Sequence, residues 1–351
     1  MEYNVIGVMS GTSLDGIDLA YINFRIDKIW SFKLLSCTTV PYSESWKKTL
    51  TDLIELDESE LKKIDDRYTE YLGKTINSFI AQNKLHAIDA VCSHGHTAIH
   101  KPKEGITYQI GNQDSLSQLV QNVIVCDFRI QDVKFGGQGA PLVPVGDELL
   151  FKNYGFCINL GGFANVSYKE KGKRLAYDIC PVNIVLNTYC RTIGFDFDDQ
   201  GKIASSGTVN LKLLQKLNDL DYYKTPFPKS LGLEWVTKYV FPIINSFQIG
   251  VEDILRTYIE HISMQISAVL KNNPQSSVLI TGGGAYNSFL IQRIQKMNAN
   301  EIIVPDSYLI EFKEALIFGL LGVLKLRGEV NCLASVTGAK NDHCSGVIHY
   351  P

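Results

Sequence analysis

At 351 residues the chain is longer than a single hydrophobic core usually serves, so two domains of ordinary size are expected. Hydrophobic residues make up 45% and charged residues 20%, a balance that excludes a disordered chain. The formal net charge of −3 leaves no global positive field to release counterions, so nucleic acid is not an expected partner.

In chain order, residues 3–9 (YNVIGVM) and 17–24 form two β-rich runs joined by the turn SGTSLDG, which predicts a hairpin. Between 43 and 83, apolar residues such as Trp46, Leu50, Leu53, Ile54 and Leu61 recur every three or four positions, predicting helix. Residues 87–92 (AIDAVC) and 122–126 (NVIVC) read as short strands, ending in Ser93-His94-Gly95-His96-Thr97 and in Asp127-Phe128-Arg129. Polar side chains thus gather where strands stop. The stretch 134–144 (KFGGQGAPLVP) carries three glycines and two prolines, and a domain boundary is placed there, giving lobes 1–135 and 136–351.

The second lobe repeats the opening pattern, with strands FCINL and ANVSY flanking Gly161-Gly162 within 155–168. A helix is predicted over 253–270, then a strand over 277–281 running into Gly282-Gly283-Gly284. The helix predicted over 311–327 is apolar on nearly every face and should be buried, returning to the first lobe. There is no short internal period, which excludes solenoids and propellers.

Eight cysteines, at 37, 92, 126, 157, 180, 190, 332 and 344, show no CxxC spacing and several sit in apolar runs, so they read as reduced core thiols. The opening MEYNVIGVMSG has no basic segment ahead of a long apolar one, and no apolar run reaches the ~18 residues of a membrane span. A cytoplasmic address without membrane association is therefore expected.

Glycine allows backbone to approach phosphate, so a strand, a Gly/Ser/Thr turn and a second strand can aim several N–H groups at an anion. SGTSLDG has this composition, and Asp15 within it suits the water shell of a magnesium ion. The same turn also reads as a plain tight hairpin. The second turn, Asn159-Leu160-Gly161-Gly162, and a third element, Gly282-Gly283-Gly284-Ala285 opening a helix, follow in order. The triple glycine reads either as a strand-to-helix loop or as part of a nucleotide pocket. Neither a GxxxxGK[ST] pattern nor the protein-kinase signatures occur, so a phosphate cradle here is of another kind.

His94 and His96 read as a metal pair or as contacts to a small molecule, and the missing third ligand speaks against the metal pair. Arg129 reads as a salt-bridge partner within a cleft or as the bidentate partner of a ligand carboxylate. Glu314 lies in a largely apolar helix, so it has a structural partner or faces a cleft.

Several segments together resemble the anhydro-N-acetylmuramic acid kinases over nearly the whole chain. They are MSGTSLDGIDLA (9–20), Asp127-Phe128-Arg129 through Asp132 to GGQGAPLVP (136–144), INLGGFANVS (158–167), ITGGGAYN (280–287), Glu314-Ala315 and SVTGA (335–339). The resemblance implies an α/β fold of two ribonuclease-H-like domains, as in actin-like ATPases and sugar kinases, around a central cleft. It implies ATP-dependent opening of the 1,6-anhydro ring of 1,6-anhydro-N-acetylmuramic acid with phosphorylation of O6, serving peptidoglycan recycling. ATP and magnesium are the implied cofactors, and a homodimer is the default assembly.

The implied ATP site takes Gly11, Thr12, Ser13, Leu14, Asp15, Gly16, Ile17 and Asp18 from the first turn. It takes Asn159, Gly161 and Gly162 from the second, and Gly282, Gly283, Gly284 and Asn287 from the third. Asp15 is the magnesium residue, through water. His94, Thr97, Asp127, Arg129 and Glu314 are the implied sugar residues. The family's base motif runs Asp-Thr-Gly-Pro-Gly-Asn, three residues, then aspartate. Here Asp178-Ile179-Cys180-Pro181-Val182-Asn183 is followed after three residues by Asn187, so an amide stands at the base position. Asp178 reads as a magnesium-water ligand, as the replacement base, or as a strand-end residue with a structural role. His96 replaces a glutamine, and Leu231 and Leu233 replace a threonine and an arginine. Kinase activity on an already open amino sugar, or a silent sugar- or nucleotide-binding role, are the alternatives these departures leave open.

Overall fold

The computed structural model describes residues 1–11, 14–271 and 273–351, so two predicted ATP residues, Thr12 and Ser13, lie outside the described residues. The chain divides into two compact units, Met1–Phe151 with Phe312–Pro351, and Lys152–Glu311. The glycine-rich stretch 134–144, where the sequence places the boundary, lies inside the first unit; the chain passes to the second between Phe151 and Lys152.

In the first unit, β1 (Glu2–Ser10), β2 (Gly16–Ile26) and β3 (Trp30–Pro41) form an antiparallel meander. On the far side of β1, β4 (Ala90–Lys101) pairs in parallel, followed by β6 (Ile124–Cys126) in parallel and β12 (Val347–His349) antiparallel. A parallel neighbour needs a long crossover, and the helix Glu58–Gln82 supplies it. Its start is set by a capping box between Asp57 and Glu60, and it buries Leu61, Tyr68, Leu72, Ile76 and Phe79 on one face. That cap is why the helical stretch expected from 43 to 83 is broken into Glu44–Thr51, a tight turn at Asp52–Glu55, and Glu58–Gln82.

The strand expected to stop at Cys92 instead runs on to Lys101, because β5 (Ile106–Ile110) folds back on it as a hairpin from His96 onward. The C-terminal helix Ser307–Leu326 buries Ala315, Leu316, Phe318, Leu320 and Val323. Close approach to the sheet depends on glycine. A Cβ on Gly7 would stand 1.9 Å from the Ala315 carbonyl oxygen, and one on Gly322 would stand 2.1 Å from Cys92 Sγ.

The second unit repeats the plan. β7 (Phe156–Leu160), β8 (Phe163–Glu170) and β9 (Lys173–Pro181) form the meander, and β10 (Val278–Thr281) and β11 (Ile302–Ile303) add in parallel beyond β7. Helices including Asn183–Arg191, Val251–Leu270 and Ser288–Met297 make the crossovers. The helix Val251–Leu270 buries Leu255, Tyr258, Ile259, Ile262 and Ile266 against Ile158, Val185 and Leu290 in one core. Six of the eight cysteines are buried. Among the described residues no helix is long and apolar enough to cross a membrane.

Candidate functional site

The first turn follows Ser10, the last residue of β1, and Leu14 takes a left-handed backbone with φ 61° before Asp15 and Gly16 lead into β2. A non-glycine residue in that region is uncommon and costs energy that the surroundings must hold. Gly16 admits β3, since a Cβ there would meet the Val40 carbonyl oxygen at 2.4 Å. The Asp15 side chain is exposed, Asp18 accepts a hydrogen bond from Thr39 Oγ1 at 2.6 Å, and Ile17 is wholly in the core, leaving only its backbone for a ligand.

Ser10 anchors this turn from below. Its Oγ lies 2.5 Å from Tyr42 Oη, 2.9 Å from Tyr68 Oη and 2.9 Å from His96 Nδ1, and all four residues are buried. Burial pushes the His96 imidazole down to about 4, so the ring is neutral. Tyr42, between a strand and a helix, and Tyr68, within the helix Glu58–Gln82, were not singled out by sequence reasoning, since a lone tyrosine gives no signal of its partner.

At the middle of β4 a second cluster forms. His94 Nδ1 donates to the Gly95 carbonyl oxygen at 2.8 Å, so Nε2 is left to accept from Arg129 Nε at 2.8 Å. Burial, with the Arg129 charge beside it, holds His94 far below its usual range, and the ring packs on Phe318 at 4.6 Å. Arg129 also donates through Nη1 to the Gly139 carbonyl oxygen at 2.6 Å, and burial lowers its pKa to about 10. Both nitrogens of His94 are committed to the protein and His96 Nδ1 is tied to Ser10, so the two rings do not form a metal pair. His94 is placed to orient Arg129.

Asp127, at φ 57° just beyond β6, accepts from Asn112 Nδ2 at 2.9 Å, and the same amide group lies 3.2 Å from the His94 carbonyl oxygen. Burial raises the Asp127 pKa, opposed by the Asn112 hydrogen bond. Glu314 is raised by burial and lowered by the nearby Arg129 charge. Four predicted sugar residues, His94, Asp127, Arg129 and Glu314, are thereby linked; Thr97 sits further along β4, opposite Gln109. Asn112 joins them although it was not predicted. Its signal is the Gly111-Asn112 pair directly after β5, where Gly111 has φ 87°.

In the second unit two glycine-rich turns meet the start of a helix. The Gly161 and Gly162 carbonyl oxygens accept from Asn183 N at 3.3 Å and Val182 N at 2.8 Å, fixing the start of helix Asn183–Arg191. Asn183 Nδ2 donates to the Leu160 carbonyl oxygen at 3.3 Å. Gly282, at φ 83°, lies so close to the β7 end that a Cβ would stand 2.1 Å from Asn159 Oδ1, and one on Gly284 would stand 2.7 Å from Leu160 Cβ. By contrast a Cβ on Gly161 would find its nearest atoms at 3.7 Å, so that turn opens to space. Asn159 Oδ1 is buried with no hydrogen-bond partner among the described residues. Asn287 caps the helix Ser288–Met297, its Oδ1 accepting from Leu290 N at 2.9 Å.

Across the sheet, Asn159 is opposite Asn165 and Asn165 is opposite Asp178, which puts the three on one face in a row. Asp178 is half-buried, and burial raises its pKa while the Leu231 N–H, donating to Oδ2 at 2.9 Å, lowers it. Asn187 lies one turn beyond Asn183 on the helix Asn183–Arg191.

Two units that each build an antiparallel meander extended in parallel beyond its first strand, with glycine-rich turns at the strand ends, define a protein of the ribonuclease-H-like class of actin-like ATPases and sugar kinases. Within that class, the family model described as Anhydro-N-acetylmuramic acid kinase matches residues 3–351, and the chain belongs to this family. It is 32% identical over 369 residues to the anhydro-N-acetylmuramic acid kinase of Pseudomonas syringae pv. syringae (strain B728a), covering 99% of this chain and 100% of that one. It is likewise 32% identical to the enzyme of that name from Actinobacillus pleuropneumoniae serotype 5b (strain L20), covering 98% of each. The one from Xylella fastidiosa (strain Temecula1 / ATCC 700964) is 32% identical, with 98% of this chain and 95% of that chain covered.

Proposed function

We propose that this protein transfers the γ-phosphoryl group of ATP to O6 of 1,6-anhydro-N-acetylmuramic acid while water opens the anhydro ring. The product is N-acetylmuramic acid 6-phosphate, recovered from peptidoglycan fragments in the cytoplasm, by a homodimer. The observation that carries this reading is a family match running from residue 3 to 351, through all three glycine-rich turns and the His94–Arg129 cluster.

In this reading a water oxygen bonds to C1 as the C1–O6 bond breaks, O6 bonds to the γ-phosphorus, and ADP leaves as the β–γ bridging bond breaks. The water proton passes to a carboxylate. Asn187 is an amide and cannot accept it near neutral pH. Asp178 is the carboxylate of the same motif, sits in the row that starts at Asn159, and has a pKa raised by burial, so it takes the role of base. Arg129, aligned by His94, pairs with the lactyl carboxylate of the sugar.

The backbone N–H groups of the turns at 161–162 and 282–284 bind phosphate, where glycine leaves room for it. The exposed Asp15 carboxylate offers the oxygen donor magnesium prefers, and the ion when bound would offset phosphate charge. The test is incubation with ATP, magnesium and the anhydrosugar in ¹⁸O-labelled water. ADP and a 6-phosphate labelled at C1 are expected; neither ADP nor phosphosugar would overturn the reading. Because Asn187 stands at the base position, a second reading is phosphorylation of an already open amino sugar. A sugar panel decides between them, since that reading requires an open sugar to be the best substrate and no ¹⁸O at C1.

A further inference from the structure

Beside Arg129, but made of none of the proposed ATP or sugar residues, three buried metal-ligating side chains converge in the first unit. Asp132, on the short helix Ile130–Lys134, is 0% exposed. Cys332 and His343 face each other across an isolated antiparallel bridge, with Cys332 N–H donating to His343 O at 3.1 Å and His343 N–H donating to Cys332 O at 3.2 Å. The sulfur, the imidazole nitrogen and the carboxylate oxygen all lie within 4.8 Å of one another. Cys332 Sγ is 3.0 Å from Asp132 Oδ1, and His343 Nε2 is 3.6 Å from the same oxygen.

The hydrogen bonds fix the tautomer. His343 Nδ1 is 3.0 Å from the Asn341 carbonyl oxygen, which can only accept, so Nδ1 carries the proton. Nε2 then turns a lone pair toward Asp132, and it is buried with no hydrogen-bond partner among the described residues. Two acceptors facing each other away from water is costly, and a cation between them makes both into ligands. A divalent ion with one thiolate and one carboxylate is also neutral overall, as a dry site requires.

The surroundings are those of a held ligand set. Asp132 Oδ2 accepts from Gly139 N at 2.7 Å and Oδ1 accepts from Thr337 Oγ1 at 2.7 Å, while the Asn341 carbonyl holds the His343 ring. Such outer contacts orient metal ligands. Gly137 leaves the carboxylate its space, since a Cβ there would stand 2.2 Å from Asp132 Oδ2.

We infer that Asp132, Cys332 and His343 bind a zinc ion that ties the C-terminal stretch to the glycine-rich loop at 136–144. Sulfur and imidazole donors select zinc over magnesium, and a water fills the fourth position. On binding, the Cys332 thiol proton leaves to solvent, a sulfur–zinc bond replaces the S–H···O contact, and no electron moves. Without metal, the same trio reads as an ion pair between Asp132 and His343.

The test is elemental analysis of protein purified without chelator or histidine tag, followed by cobalt(II) titration of the chelator-stripped, reduced chain. About one zinc per chain and a near-ultraviolet sulfur-to-cobalt charge-transfer band are expected. Cys332→Ser should abolish the band, and Cys344→Ser should leave it intact. Folded wild-type protein that carries no zinc and gives no band would overturn the site in favour of the ion pair. A band that persists in Cys332→Ser would overturn it as well. Because the wild-type titration decides by itself, a variant that fails to fold does not blunt the test.

Discussion

His94 Nε2 accepts a hydrogen bond from Arg129 Nε at 2.8 Å, and this contact fixes the guanidinium beside Glu314. A neutral imidazole is needed for it, because a protonated ring would have no lone pair to offer. Arg129→Lys keeps the charge and loses the fork, so KM for the anhydrosugar should rise about tenfold, the order of one charge-assisted hydrogen bond. His94→Ala should move KM the same way with smaller effect. Steady-state kinetics showing KM unchanged in both would remove Arg129 from sugar recognition.

Asp178 as the base predicts that Asp178→Asn lowers kcat by about 10²–10⁴-fold with little change in KM for ATP. Burial raises this carboxyl above the ordinary aspartate range. The acid limb of the kcat profile should lie correspondingly high, with rate lost as pH falls through that raised value. Asn187→Asp should then add little. A large gain from Asn187→Asp together with a silent Asp178→Asn would put the base back at position 187.

Two glycines of the proposed ATP site separate folding from binding. Gly282→Ala meets both a left-handed backbone and Asn159 Oδ1 at 2.1 Å, so it should destabilise the protein by about 1–3 kcal/mol. Gly161→Ala has its nearest atoms at 3.7 Å, so it should fold normally yet bind ATP more weakly if that turn approaches phosphate. Urea unfolding and nucleotide calorimetry on the pair check this. Normal ATP affinity in Gly161→Ala would count against the phosphate role.

Buried neutral histidines set a pH dependence of stability. His96 is lowered to about 4 and His261 to about 3 by burial, so between those values and about 6.5 the unfolded chain binds protons that the native one refuses. Stability is therefore full above pH ~6.5 and falls as pH drops through this window. The raised carboxyls Asp127, Asp178 and Glu314 act in the opposite sense. The difference between wild type and His96→Gln isolates one group: the variant should release about one fewer proton's worth of slope between pH 6 and 4.5. Urea midpoints that move in parallel for the two proteins would contradict a neutral buried His96.

Much of the site was legible because glycine and short polar residues mark strand ends, where the backbone must turn. SGTSLDG, NLGG and TGGG each fall at such an end, after β1, β7 and β10. The third strands β3 and β9 were not anticipated. Half-exposed β3, with alternating intermediate and exposed residues, lacks the apolar run that marks β1. The stop of β4 was misjudged because polar SHGHT carries no strand signal, and pairing with β5 decided its length.

Order along the chain settled the family, the duplicated plan and the residue types at each turn, since these are properties of local pattern. Which partners those residues have was decided only in three dimensions. Ser10 meets Tyr42, Tyr68 and His96 over separations of up to 86 residues. Asp132 meets Cys332 and His343 from some two hundred residues away. Such contacts depend on how sheets and the C-terminal helix stack around glycines like Gly7 and Gly322, and packing of that kind leaves no periodic trace in sequence.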